Sequence, residues 1–81
     1  MFHPNADLVR QAFSEALGIP ADQVSDELSY DSIPEWDSVS HMSLIAMLED
    51  KFNVLLETND ILEMSSVKIA KEILSRIGVP F

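Results

Sequence analysis

An 81-residue chain that is 47% apolar has the length of one small domain and enough apolar side chains to fold, which excludes a disordered or multidomain reading and makes residues 1 to 81 a single unit. It has no cysteine, so neither a disulfide framework nor a thiolate metal site is available. A net charge of −9 excludes a nucleic-acid partner, which needs a basic face. No apolar run approaches the roughly 20 residues of a membrane span. The opening Met1-Phe2-His3-Pro4-Asn5 lacks the basic flank and apolar run of a signal peptide, so cytoplasm, or an organelle matrix after processing, is the expected compartment.

The charge is one-sided. Between Arg10 and Lys51 there is no Lys or Arg, but there are nine acids: Glu15, Asp22, Asp26, Glu27, Asp31, Glu35, Asp37, Glu49 and Asp50. From Lys51 onward four basic residues balance Glu57, Asp60, Glu63 and Glu72, and Arg10 balances Asp7, so the whole excess comes from residues 11 to 50. Such a field repels anions, steers basic partners in and weakens the fold by self-repulsion. A first expectation follows: moderate NaCl or a divalent ion raises the melting temperature by screening this segment. A melting temperature that is unchanged or lower in salt contradicts it.

Residues 5 to 17 predict a helix, with Asn5 as cap and Leu8, Val9, Ala12, Phe13, Ala16 and Leu17 recurring at helical spacing. Gly18 ends it as a C′ residue and Pro20 prevents continuation. Residues 19 to 37 form a long connection with Pro20, Pro34, scattered acids and the isolated apolar residues Val24, Leu28, Tyr30, Ile33 and Trp36. A connection this long is functional or partly structured; those residues should pin it to the core, with a short turn at Asp22 to Val24. The second helix spans 38 to 52, capped by Asp37. His41, Leu44, Ile45, Leu48 and Phe52 share its inner face with Met42 at the margin, while Ser40, Ser43, Met47, Asp50 and Lys51 lie opposite beside Val39. A short helix runs from a cap at Thr58 to Glu63, and a last one starts at Ser65 or Ser66, buries Val67, Ala70, Ile73, Leu74 and Ile77, and stops at Gly78 and Pro80. No strand-like alternation or internal repeat occurs. The expected fold is all-α: a small irregular four-helix bundle with three long helices, one short helix and a long first crossing.

Few constellations support chemistry within the chain. Ser38 and His41 stand at i, i+3, as a nucleophile and its base could, but His41 falls in the middle of an apolar face, where a packed, hydrogen-bonded histidine is the commoner explanation. With Gly18 and Gly78 as its only glycines, the chain has no phosphate-cradling loop. The acids from Asp26 to Asp37 lack the glycine and spacing of a calcium loop. Ser38, in contrast, opens a helix whose N-terminus carries unpaired N–H groups and about half a positive charge, a place where a phosphate on its oxygen would sit comfortably. Val39 and Met47 read as exposed apolar contacts on the outward face of that helix.

Taken together, Trp36-Asp37-Ser38-Val39-Ser40-His41, the long acidic loop before it, Phe52-Asn53-Val54 closing the second helix and Ser65-Ser66-Val67 opening the last one resemble the acyl carrier protein family over essentially the whole chain. The Trp-Asp-Ser-x-x-His form is closer to carriers of polyketide and specialised pathways than to the commonest fatty-acid type. The resemblance implies a carrier that is not itself an enzyme. In such a carrier a phosphopantetheinyl transferase, with Mg²⁺, joins the 4′-phosphopantetheine of coenzyme A to Ser38, and the terminal thiol holds an acyl group as a thioester. In a chain without cysteine that thiol is the sole sulfhydryl. The resemblance further implies that Asp37, Val39, Met47, Glu49 and Asp50 face basic surfaces on acyl-loading and acyl-processing enzymes. It implies too that Leu44, Ile45, Leu48, Leu56, Ile61, Met64, Val67 and Ala70 pack the bundle or line a space for the cargo. From the residues themselves no dedicated metal site is expected, and a monomer is the expected state. Ser40 and Ser43 depart from the acids common in fatty-acid carriers, and Pro34-Glu35-Trp36 replaces a glycine-containing turn, which points to a dedicated partner set. Two alternatives stay open: a non-carrier acidic interaction module of the same fold, and an aminoacyl or peptidyl carrier.

Overall fold

The computed structural model describes residues 4–81; His3, expected in a frayed end, lies outside them. Four helices carry the fold: α1 (Pro4–Leu17), α2 (Ser38–Phe52), α3 (Thr58–Glu63) and α4 (Val67–Arg76), with one 3₁₀ turn at Ala21–Gln23. The bundle is all-α, as the helical periodicities require. Asn5 lies inside the first turn of α1 and is not its cap; its side-chain N–H donates to the Pro80 carbonyl at 2.9 Å, drawing the two ends of the chain together. Gly18 closes α1 with φ +69°, and its N–H and that of Ile19 both return to the Ser14 carbonyl.

The core is one cluster. Val9, Ala12 and Phe13 of α1 meet Leu44, Ile45 and Leu48 of α2 and Val67, Ala70, Ile73 and Leu74 of α4, sealed by Trp36 and Met64. The long connection is held much as expected, by buried Val24 and Trp36 and half-buried Leu28 and Ile33, but Tyr30 is 41% exposed. Its backbone has a second anchor that no local pattern announces. Tyr30 N–H donates to the Ser65 carbonyl at 2.8 Å, making an isolated antiparallel bridge between Ser29 and Ser66. In return the loop satisfies the first turn of α4: Val67 N–H donates to Leu28, Lys68 N–H to Asp26, and Ser66, as N-cap, accepts from Ile69 N–H. A salt bridge from Lys71 to Asp26 at 2.8 Å reinforces the same seam.

Two boundaries and one facing residue differ from expectation. The cap of α3 is Glu57, one residue before Thr58, because Asp60 reaches back to accept from Glu57 N–H at 3.3 Å. Ile77 is the C-cap of α4 and 39% exposed, so it falls off the inner stripe where the helix unwinds into Gly78 at φ +107°. Met47 packs half-buried against the core instead of facing outward. Lys51, one turn further along the same face, explains why: its ammonium pairs with Glu15 of α1 at 3.3 Å, so α1 covers this side of α2.

Candidate functional site

The start of α2 is fixed by a reciprocal cap. Asp37 is extended, and its carboxylate accepts from Val39 N–H at 3.1 Å and Ser40 N–H at 2.9 Å. The Ser40 hydroxyl accepts from Asp37 N–H at 3.0 Å and shares its proton between the Glu35 carbonyl at 2.6 Å and the Asp37 carboxylate at 3.1 Å. The Ser40 N–H above all, then the Ser40 hydroxyl and Val39 N–H, hold the Asp37 carboxyl below its ordinary value of 3.8. The sign is that of a lowered acid: the stability Asp37 adds is complete above 3.8 and is lost as pH falls through the folded value. Asp37→Asn, which can still cap but cannot titrate, should therefore differ from the parent most at neutral pH. In acid-unfolding curves that difference should shrink below 3.8; a constant difference contradicts the assignment.

Ser38 is the first residue of α2. It is exposed, and its hydroxyl has no hydrogen-bond partner among the described residues. The N–H groups of Val39 and Ser40, which a phosphate on Ser38 could have used, are already taken by Asp37. A phosphate at this oxygen would gain from the helix dipole but not from those two donors.

Beside Ser38 an open groove of about 460 Å³ runs between α2 and α3. Ser38, His41 and Met42 form one wall, Ile61 and Leu62 the other, and Tyr30, Met64 and Ser65 close its end. His41 is no base for Ser38. The Trp36 indole N–H, which can only donate, gives its proton to His41 Nδ1 at 3.0 Å, so the ring proton lies on Nε2 and is donated to the Ile61 carbonyl at 2.9 Å. Both nitrogens are engaged, and the ring stacks on Trp36 at 6.1 Å and meets the edge of Tyr30 at 5.5 Å. Trp36 in turn is fully buried, with Phe13 edge-on at 5.2 Å.

The residues expected to face partner enzymes separate. Asp37, Val39 (76% exposed) and Asp50 are on the surface, and Met42 and Leu62 are exposed beside them in the groove. Met47 is tucked towards α1, and the half-buried Glu49 uses its carboxylate to accept from Leu56 N–H at 3.0 Å, fastening the turn after α2. Of the residues expected in the core or along a cargo space, Ile61 and Met64 line the groove, and Leu44, Ile45, Leu48, Leu56, Val67 and Ala70 are buried. Tyr30, Leu62 and Ser65 were not foreseen: an exposed apolar residue on a six-residue helix has no periodicity to mark it. Among the described residues no helix is long and apolar enough to cross a membrane, and no group of three or more His, Cys, Asp or Glu is placed to hold a metal.

Comparison with known proteins bears on the family of the chain. Residues 7–73 match the family model described as the phosphopantetheine attachment site, and no curated protein matches the chain significantly. That family is defined by 4′-phosphopantetheine attached covalently to a serine, and its domains are carriers. An exposed, unbonded serine hydroxyl beside an apolar groove suits such an arm. With the match extending from α1 into α4, the chain belongs to the phosphopantetheine-attachment family, to which the acyl carrier proteins belong.

Proposed function

We propose that the protein is an acyl carrier whose attachment residue is Ser38. The observation that carries this reading is the Ser38 hydroxyl itself: exposed, without an intramolecular partner, first in a long helix and at the edge of an apolar groove. A phosphopantetheinyl transferase supplies the base, which suits a site whose histidine is fully committed elsewhere. Ser38 Oγ then forms the bond to phosphorus, the pyrophosphate link of coenzyme A breaks, and adenosine bisphosphate leaves. Once attached, the arm supplies a terminal thiol that holds an acyl group as a thioester.

The chain's own residues do the rest. Asp37 and Ser40 hold α2 at a fixed starting point, so Ser38 is presented in one orientation. Asp37, Val39 and Asp50, with exposed Met42 and Leu62, form the surface offered to the transferase and to acyl-loading and acyl-processing enzymes. No Lys or Arg interrupts the nine acids between Arg10 and Lys51, and among the described residues only Glu15 and Asp26 of these form ion pairs, so basic partner surfaces are drawn to this side. The test is intact mass after incubation with coenzyme A, Mg²⁺ and a broad-specificity transferase, with Ser38→Ala as control. A gain of one phosphopantetheine in the parent alone supports the reading; no gain, or a gain in both, overturns it.

A further inference from the structure

We infer, on the carrier reading above, that the Trp36–His41–Ile61 relay seals the groove beside Ser38 from the core and makes it a surface seat for an uncharged acyl group. His41 lines the groove from within, the Trp36 ring stacked on it is fully buried, and Met64, which closes the groove's end, is 1% exposed. For a chain of methylenes to pass into the bundle, His41 must swing aside. That leaves the Trp36 indole N–H and the Ile61 carbonyl without their partners, each lost in a part-buried setting. The indole cannot follow the imidazole, because Phe13 and Tyr30 hold its edges at 5.2 and 6.1 Å. The same relay ties short α3 to α2, so the wall formed by Ile61 and Leu62 is fixed in place before any cargo arrives.

The lining also selects by charge. It contains no Lys, Arg, Asp or Glu; its polar side-chain atoms besides His41 are the hydroxyls of Tyr30, Ser38 and Ser65. None of those three hydroxyls has a hydrogen-bond partner among the described residues, so each can pair with a carbonyl or hydroxyl on the cargo. A carboxylate-bearing acyl group finds no cation there and sits in the field of the acidic segment; an aminoacyl ammonium finds no carboxylate in the lining. Either charge would lose its hydration without a partner and stay in solvent. Uncharged groups, hydroxylated or not, gain from the apolar walls.

The experiment transfers butyryl-, octanoyl-, malonyl- and β-alanyl-phosphopantetheine to the unmodified protein from the corresponding coenzyme A thioesters, verifies each by intact mass, and maps backbone amide shifts. Butyryl and octanoyl groups should move Tyr30, Met42, Ile61 and Leu62 and leave core Leu48 and Ala70 in place, whereas malonyl and β-alanyl groups should move only the neighbours of Ser38. In His41→Leu, octanoyl shifts should spread to Leu48 and Ala70, and hydrogen exchange at the Trp36 indole should quicken about tenfold. His41→Gln, which can accept from Trp36 and donate to Ile61, should restore the parent pattern. The inference is overturned if octanoyl reaches the core in the parent, if a charged group perturbs the groove as strongly as butyryl, or if His41→Leu behaves as the parent. Should His41→Leu not fold, the four cargoes on the parent decide. A protein that gains no mass at Ser38 overturns the carrier reading itself, and this inference with it.

Discussion

Replacing Trp36 by alanine should lower the stability of the domain by about 3–5 kcal/mol, the range for removing a fully buried large aromatic side chain. A domain of this size holds only about 4–12 kcal/mol in total, so the loss is a large share of the stability and the variant should melt well below the parent. Trp36 joins three parts of the structure: α1 through Phe13, the long loop through Tyr30, and α2 through the imidazole of His41. Its loss opens a cavity and also strands the His41 Nδ1 acceptor. Trp36→Phe keeps most of the volume and removes the donor, and should cost clearly less. Denaturant unfolding of the three proteins checks both statements; equal stability of Trp36→Ala and the parent would refute the central role given to this side chain.

Ser38→Ala should have the opposite character: no measurable structural effect and complete loss of modification. The hydroxyl is exposed and unbonded, and the capping groups are Asp37 and Ser40, so the substitution should stay within about 0.5 kcal/mol of the parent. Ser40→Ala supplies the contrast. It removes the acceptor for Asp37 N–H and the bond to Glu35, so it should destabilise α2 while leaving the attachment oxygen present. Thermal melts paired with intact mass separate the two: Ser38→Ala stable and never modified, Ser40→Ala less stable and still modified.

The helices were legible because their signals are local. Asp37 before an apolar-periodic run, Gly18 and Gly78 past two helix ends, and the period of Val67, Ala70, Ile73 and Leu74 each act within a few residues, and α2 falls on the expected 38 to 52. What the sequence could not disclose depends on contacts far along the chain. The Ser29–Ser66 bridge, the capping of α4 by loop carbonyls and the bond from His41 to Ile61 join residues 20 or more positions apart. Met47 was misplaced for the same reason: α1 covers a wider arc of α2 than the helical wheel suggests, as the Lys51–Glu15 pair records. Within the site, Ser38 and its cap could be read directly. The Trp36–His41 pair could be read only as one loop aromatic and one core histidine, because nothing in the spacing shows that an indole before a helix folds back onto its first turn.

The central claim, that Ser38 is the point of attachment, is tested most directly by mapping the modification. The unmodified protein is incubated with coenzyme A, Mg²⁺ and a broad-specificity phosphopantetheinyl transferase, and its intact and fragment masses are recorded. The account predicts the gain of one phosphopantetheine, carried by the fragment that contains Ser38 and by no other. A helical, folded protein that gains nothing, or that carries the group on a different serine, would contradict it.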